Sequence, residues 1–248
     1  MGQHLPRTLL VALSVLALAS GSTARAEDKL DGKEVLRRAE AAVRKINAVR
    51  YEASYTAEGW VAQYVSPVKG IALLGAPSKY GIEKFRSAVT LNPGDAEKES
   101  SHTLGCNGDV FYVVDTKTKT VHEDMDPVVL GSNGRHLQRL LLRDYVSDKP
   151  FEEELKAEEL ALDGTEKVND VACHKVKIKY SSSQEATWYF SAEGYLPMRV
   201  DRAYTNPDQG VATTSLVLSN VQPNPPLDES AFDTAVPDGF TKTDEFAP

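Results

Sequence analysis

Four residues of this chain carry donor atoms that a metal ion would use. His102 and Cys106 lie four apart, and Cys173 and His174 are adjacent. Imidazole nitrogen with thiolate suits zinc or copper. The spacing argues against such a site. On an extended strand, residues four apart stand about 13 Å from one another, so His102 and Cys106 reach one ion only if a bulge intervenes. No metal is therefore expected. The cysteines keep two other readings: one Cys106–Cys173 disulfide, or two separate thiols packed in a sheet. Two cysteines do not make a disulfide-dense scaffold.

Asp124 and Asp126 flank Met125 just before Pro127. Paired carboxylates can divide acid and base work when their environments differ. Here they fall in a turn-like stretch with no substrate platform, which reads as a solvated turn. The run Trp188-Tyr189-Phe190 could stack a sugar or a base. Strand alternation, however, puts Trp188 and Phe190 on one side and Tyr189 on the other, which reads as core or cavity lining. The chain contains no G-x-S-x-G, no G-x-G-x-x-G after a strand, no Walker loop and no H-E-x-x-H. "GSNG" at Gly131 to Gly134 reads as a helix-entry loop. No enzyme is expected.

The elements that would position these residues are mostly strands. "GKEVLRRAEAAVRKINAV" places Val35, Ala39, Ala42, Val43 and Ile46 at helical spacing with Arg and Lys opposite, which predicts one amphipathic helix. The period then changes to two: Val49, Tyr51, Ala53, Tyr55 and Ala57 alternate with polar residues. Short strands follow, broken by Gly and Pro, with a charged tip at "LNPGDAEKES" and turns at Asn107-Gly108 and Asp115 to Lys117. The middle departs from sheet. In "SNGRHLQRLLLRDYV", Leu137, Leu140, Leu141 and Tyr145 fall on one helical face, and Ser132 or Asn133 can cap its start.

"EEELKAEE" holds five glutamates in eight residues and reads as solvated. Strands resume from Ala157, with a turn at Asn169-Asp170. His174, Val176, Ile178 and Tyr180 face one way; Cys173, Lys175, Lys177 and Lys179 face the other. An irregular, proline-punctuated end follows. Consecutive strands with short turns make an antiparallel sheet. The expected class is α+β: one large, strongly curved antiparallel sheet with helices on its concave side.

Arg7 followed by the apolar run Leu9 to Ala19 and by Ala24-Arg25-Ala26 reads as a signal peptide, residues 1–26, cleaved after Ala26. The run is too short to span a bilayer. Residues 27–248 then form a single domain, exported and soluble. The formal net charge of −8 argues against a nucleic-acid partner, which needs a basic face. It argues equally against purely electrostatic docking on an anionic membrane.

Five segments, in order, resemble the periplasmic outer-membrane lipoprotein carrier family (LolA-like). The leading helix followed by "AVRYEASYTAEG" looks like the family's opening, and "KGIALLGAPSKYGIEKFR" like its second hairpin. "CNGDVFYVVDTKTKTV" is similar to its "DG-x-x-aromatic" hairpin. "RHLQRLLLRDYV" sits where the family has its lid helix, and "SAFDTAVPDGF" resembles its closing "F-x-x-x-x-P-x-G" segment. The resemblance implies a half-closed β-barrel whose apolar concavity, lidded by helices, holds lipoprotein acyl chains crossing the periplasm, with no cofactor and no bond-breaking step. The cavity and lid expected here are Tyr51, Tyr55, Tyr112, Val114, Leu137, Leu140, Leu141, Val176, Ile178 and Trp188. The family has an arginine immediately before the proline of its second hairpin, where it helps hold the lid closed. This chain has Ala76 there, before Pro77, with Arg86 or Arg50 as substitutes.

The leading expectation is a periplasmic, monomeric carrier or binding protein for a lipid or a lipoprotein acyl chain, served by membrane-bound donor and acceptor proteins. The alternative is a sensor or regulatory module of the same fold that binds another exported protein; an exposed apolar patch would favour it. An enzyme reading would need Cys106, Cys173 and a histidine to converge.

Overall fold

The computed structural model describes residues 30–79, 81–131, 134–228 and 230–243. The expected signal peptide, residues 1–26, and the candidate caps Ser132 and Asn133 lie outside them. Helix α1, Gly32–Val43, starts at Asp31, whose carboxylate accepts the Glu34 N–H at 2.8 Å and so satisfies one of the free donors of the first turn. Its apolar stripe, Val35, Leu36, Ala39 and Val43, is buried. The helix lies so close to the sheet that a Cβ on Gly32 would come within 2.5 Å of Leu160 and 2.9 Å of backbone at Ala161 and Leu162.

Twelve strands form one sheet among the described residues. They are β1 (Ala48–Glu58), β2 (Val68–Gly75), β3 (Lys84–Leu91), β4 (Ser100–Asn107), β5 (Phe111–Asp115), β6 (Thr120–Asp124), β7 (Glu159–Val168), β8 (Val171–Ser181), β9 (Gln184–Ser191), β10 (Pro197–Asn206), β11 (Gly210–Pro223) and β12 (Thr241–Thr243). The order is β12-β6-β5-β4-β3-β2-β1-β11-β10-β9-β8-β7. Two meanders, β1 to β6 and β7 to β11, are therefore joined where β1 pairs with β11. Every pairing is antiparallel except that of β12 on β6, an edge strand that the irregular ending does not announce. β12 and β7 remain as edges, so the sheet is open: a curved half-barrel, as the strand pattern and the resemblance imply.

The segment between the meanders has to travel from β6 to the far edge at β7. It does so across the concave face, as short turns rather than the continuous helix expected over residues 134–145. The pieces are a 3₁₀ turn at Pro127–Leu130, helix α2 (Gly134–Leu137), 3₁₀ turns at Gln138–Leu140 and Arg143–Tyr145, and helix α3 (Glu152–Leu155). Helical geometry stops at Leu141 (ψ 102°) and Leu142 (ψ 89°). A straight helix would bury one stripe. This path buries Leu140, Leu141 and Leu142 in succession.

Candidate functional site

The concave face and the crossing segment form one continuous buried cluster. Tyr51, Val176, Ile178 and Trp188 contribute from the sheet; Leu137, Leu140 and Leu141 contribute from the crossing segment. Seven of the ten expected cavity and lid residues thus come together. Tyr55 packs at the margin, half-buried, with the Arg139 guanidinium 5.5 Å from its ring centre.

Tyr112 and Val114 do not belong to the site. They lie on the convex side, in a separate cluster with Val121 and Phe240, while their neighbour Val113 joins the concave core. The assignment was one residue out of phase on β5, and with a period of two such a slip moves a whole set to the other face. The ring of Tyr112 instead covers Gly105, its cross-strand partner, where a Cβ would sit 2.5 Å from the ring carbon that bears the hydroxyl.

Residues outside the expected set complete the site. Phe151 is fully buried and meets Trp188 and Phe190 edge-on, with centroids 5.3 and 5.4 Å away. Its backbone is left-handed, with φ 56°, a conformation costly for a bulky side chain. Tyr145 lies 5.9 Å from Tyr51 and donates its hydroxyl to the Pro197 carbonyl at 2.7 Å. Phe151 follows Pro150 and precedes three glutamates, a context that hides it.

The tie between lid and sheet is polar and small. The Tyr51 hydroxyl donates to the Leu140 carbonyl at 2.7 Å and accepts the Leu142 N–H at 2.8 Å. One side chain thus satisfies two backbone groups freed where the helix breaks. Burial pushes the Tyr51 hydroxyl well above the ordinary tyrosine range, so it stays protonated and able to donate. Ala76, at the family's arginine position, offers only its N–H, which donates to the Asn47 carbonyl. Neither proposed substitute takes over. Arg50 and Arg86 alternate with the concave residues Tyr51 and Phe85, so both are carried on the convex face. A surface ion pair, Arg143 with Glu83, adds a further tie from the lid to the residue before β3.

The lid does not fill the concavity completely. A cleft of about 690 Å³ runs between Leu74 and Phe85 of the sheet, the turn around Asp144, helix α3 and Arg202 of β10. Glu154 lies here, 7% exposed, and accepts the Tyr180 hydroxyl at 2.9 Å. The glutamate run is therefore not wholly solvated. Its third member turns inward to meet a tyrosine.

The chemistry suspected from sequence is not assembled. Cys106 and Cys173 are both free and buried. Cys106 joins the concave core and Cys173 a cluster with Tyr189 and Met198 on the other face, so the disulfide reading is corrected to two separate thiols. Burial pushes both thiols up, which keeps them protonated and poorly nucleophilic. His102 sits beside Ser100 Oγ at 3.0 Å, whereas His174 stacks on Tyr195 at 5.4 Å. Asp126 caps the turn that follows it, accepting the Val128 N–H at 2.9 Å, as a turn residue should.

Fold and site together define an open, curved antiparallel sheet whose concave face is plugged by a connecting segment. No family model matches the chain, and no curated protein matches it. Solved structures do. The chain is similar to LprF from Mycobacterium bovis, at 10% identity over 84% of this chain and 97% of that one, with a TM-score of 0.47. It is similar to the lipoprotein LppX from Mycobacterium tuberculosis, at 12% identity over 79% and 96%, with a TM-score of 0.45. It is also similar to the Pseudomonas aeruginosa MucA/MucB complex structure, at 11% identity over 82% and 61%, with a TM-score of 0.44. Among the described residues, no helix is long and apolar enough to cross a membrane.

Proposed function

We propose that the protein is a periplasmic carrier or binding protein that holds a lipid or a lipoprotein acyl chain in the trough now filled by its own lid. One observation carries this reading. Helix α1 covers one part of the concave core, and the rest is completed not by a second sheet or another long helix but by a chain of three- and four-residue turns. Their leucines and aromatics fill an apolar trough that a hydrocarbon would fill as well. Such a segment holds few regular backbone hydrogen bonds of its own, so its displacement breaks the polar ties named above and apolar contacts that a ligand restores. An acyl chain gains about 0.8 kcal/mol per buried CH₂, so it competes with the lid without directional contacts. No bond-breaking step and no cofactor enter the proposal.

The test is Leu141→Glu. The variant should fold, with an unchanged circular dichroism spectrum, and should take up a fluorescent acyl-chain probe more readily than the parent, because its lid competes less well for the trough. Global unfolding of the variant would make the segment ordinary core and remove the reading.

A second reading, a module that binds another exported protein, rests on the β1–β2 hairpin tip. From Gly59 to Val68 the chain carries no charge. Tyr64 there is 65% exposed, and Val211 on the neighbouring hairpin is 60% exposed. Recovery of a stoichiometric, non-lipidated protein with the chain from its own periplasm, lost on Tyr64→Ser, would favour it.

A further inference from the structure

We propose that closure of the lid is proton-linked: Asp144 and Glu154, the carboxylates that the lid folds toward the sheet, take up protons as it closes, so acid holds the lid shut and neutral pH loosens it. The inference rests on the reading that the lid opens. It adds what controls the opening.

Both carboxylates line the same cleft, and each is tied to what makes the plug. Asp144 Oδ1 accepts the N–H of Phe151 at 3.1 Å, bracing the left-handed residue whose ring sits on Trp188 and Phe190. Glu154 accepts from Tyr180 of β8. Facing Asp144 are Glu153 and Glu154 from α3 and Arg202 from β10. Facing Glu154 are Asp144, Tyr180 and Arg202. The remaining charges around the cleft are Glu83, just before β3, Lys84 of β3, and Arg143, Asp148, Lys149 and Glu152 of the lid. Arg143 is engaged by Glu83, and Lys149 reaches Glu152.

Arg202 is the cation that both carboxylates face. Its guanidinium lies over the Trp188 ring, 5.7 Å from the centre, and it forms no ion pair with either carboxylate among the described residues. Two carboxylates that share one guanidinium, Glu154 buried and Asp144 partly so, are poorly compensated as anions. Burial is the largest cause pushing both above the usual carboxylate range, and for Glu154 the charge of Asp144 comes next. A group that titrates higher in the closed state favours closure while protonated. That contribution is complete below its open-state value, near 4, and is lost as pH rises through the closed-state value. Within that window each carboxyl changes the lid equilibrium by up to about tenfold per pH unit.

Trp188 is the reporter, since it is fully buried under Phe151. The chain has two tryptophans, so Trp60→Phe leaves Trp188 alone. Acrylamide quenching of Trp188 in the ligand-free protein should fall severalfold between neutral pH and about pH 4.5, with far-ultraviolet dichroism unchanged. In Asp144→Asn/Glu154→Gln, uncharged at every pH, quenching should be low throughout. Should the pair fail to fold, Glu154→Gln alone should remove part of the slope. Quenching that does not change with pH in the parent, or an equal slope in the variants, would overturn the proposal. Acyl-probe uptake is measured separately at neutral pH. Its absence counts against the carrier reading and leaves the proton linkage standing.

Discussion

Two irregular segments cover the two faces of this sheet, and they are held in opposite ways. The lid crosses the concave face with Leu137, Leu140, Tyr145 and Phe151 fully buried in the main core. Its polar ties are few: Tyr51 to Leu140 and Leu142, Tyr145 to Pro197, Tyr180 to Glu154 and Arg143 to Glu83. The C-terminal segment straps the convex face with much less apolar contact. Phe232 rests half-buried on Gly75, where a Cβ would come within 2.6 Å of the ring, and Phe240 covers the small cluster of Tyr112, Val114 and Val121. Its other ties are polar: Asn107 to Asp233, Thr234 to Glu123, Lys242 with Glu123, and the three pairings of β12 on β6. Irregular backbone alone therefore does not mark a movable element. What differs is what lies beneath: removing the strap uncovers a small cluster, whereas removing the lid uncovers a trough.

That contrast can be broken most severely at the lid. Phe151→Ala and Leu140→Ala would each cost about 2–5 kcal/mol at a fully integrated core site. If the lid docks as a separate unit, the loss is capped at its docking free energy. The double variant should then cost little more than the worse single one in urea melts, while Trp188 becomes exposed to quencher. Additive losses would make the lid part of one cooperative core.

Tyr51→Phe should have a smaller effect. It leaves the Leu140 carbonyl and the Leu142 N–H without a partner, at about 1–3 kcal/mol, charged against the closed lid. Hydrogen exchange should accelerate across residues 137–145 and leave β8 and β9 unchanged. Uniform acceleration would contradict a local tie. On the strap, Phe232→Ala removes a half-buried ring beside a glycine, so its melting midpoint should shift less than that of either lid variant. Acyl-probe uptake should stay as in the parent protein. Lost uptake would place the ligand on the wrong face in this account.

Legibility in the sequence followed the availability of polar markers. Lys175, Lys177 and Lys179 fix the phase of β8, and Val176 and Ile178 fall on the concave face that this phase implies. "FYVVD" on β5 carries no such marker before Asp115, and both of its faces are covered, one by the core and one by the strap. Tyr112 and Val114 consequently read as concave from the sequence, whereas they lie on the convex side. Leu137, Leu140, Leu141 and Tyr145 read as a helical stripe because periodicity describes a straight element. It cannot show that the chain must turn to cross from β6 to β7. Glu154 was lost in a run of like residues, since composition does not tell which of several glutamates meets Tyr180. The role of Tyr51 as the lid's tie was equally invisible, because an alternating strand shows which way a tyrosine faces and not what its hydroxyl reaches.

The central claim is that ligand and lid compete for one trough. Hydrogen exchange of the protein with and without a saturating acyl-chain probe tests it most directly, read on the lid and the strap at once. The account predicts that bound probe strips protection from residues 137–155 and leaves residues 230–243 as they were. Probe binding that leaves lid protection unchanged, or raises it, would contradict the claim.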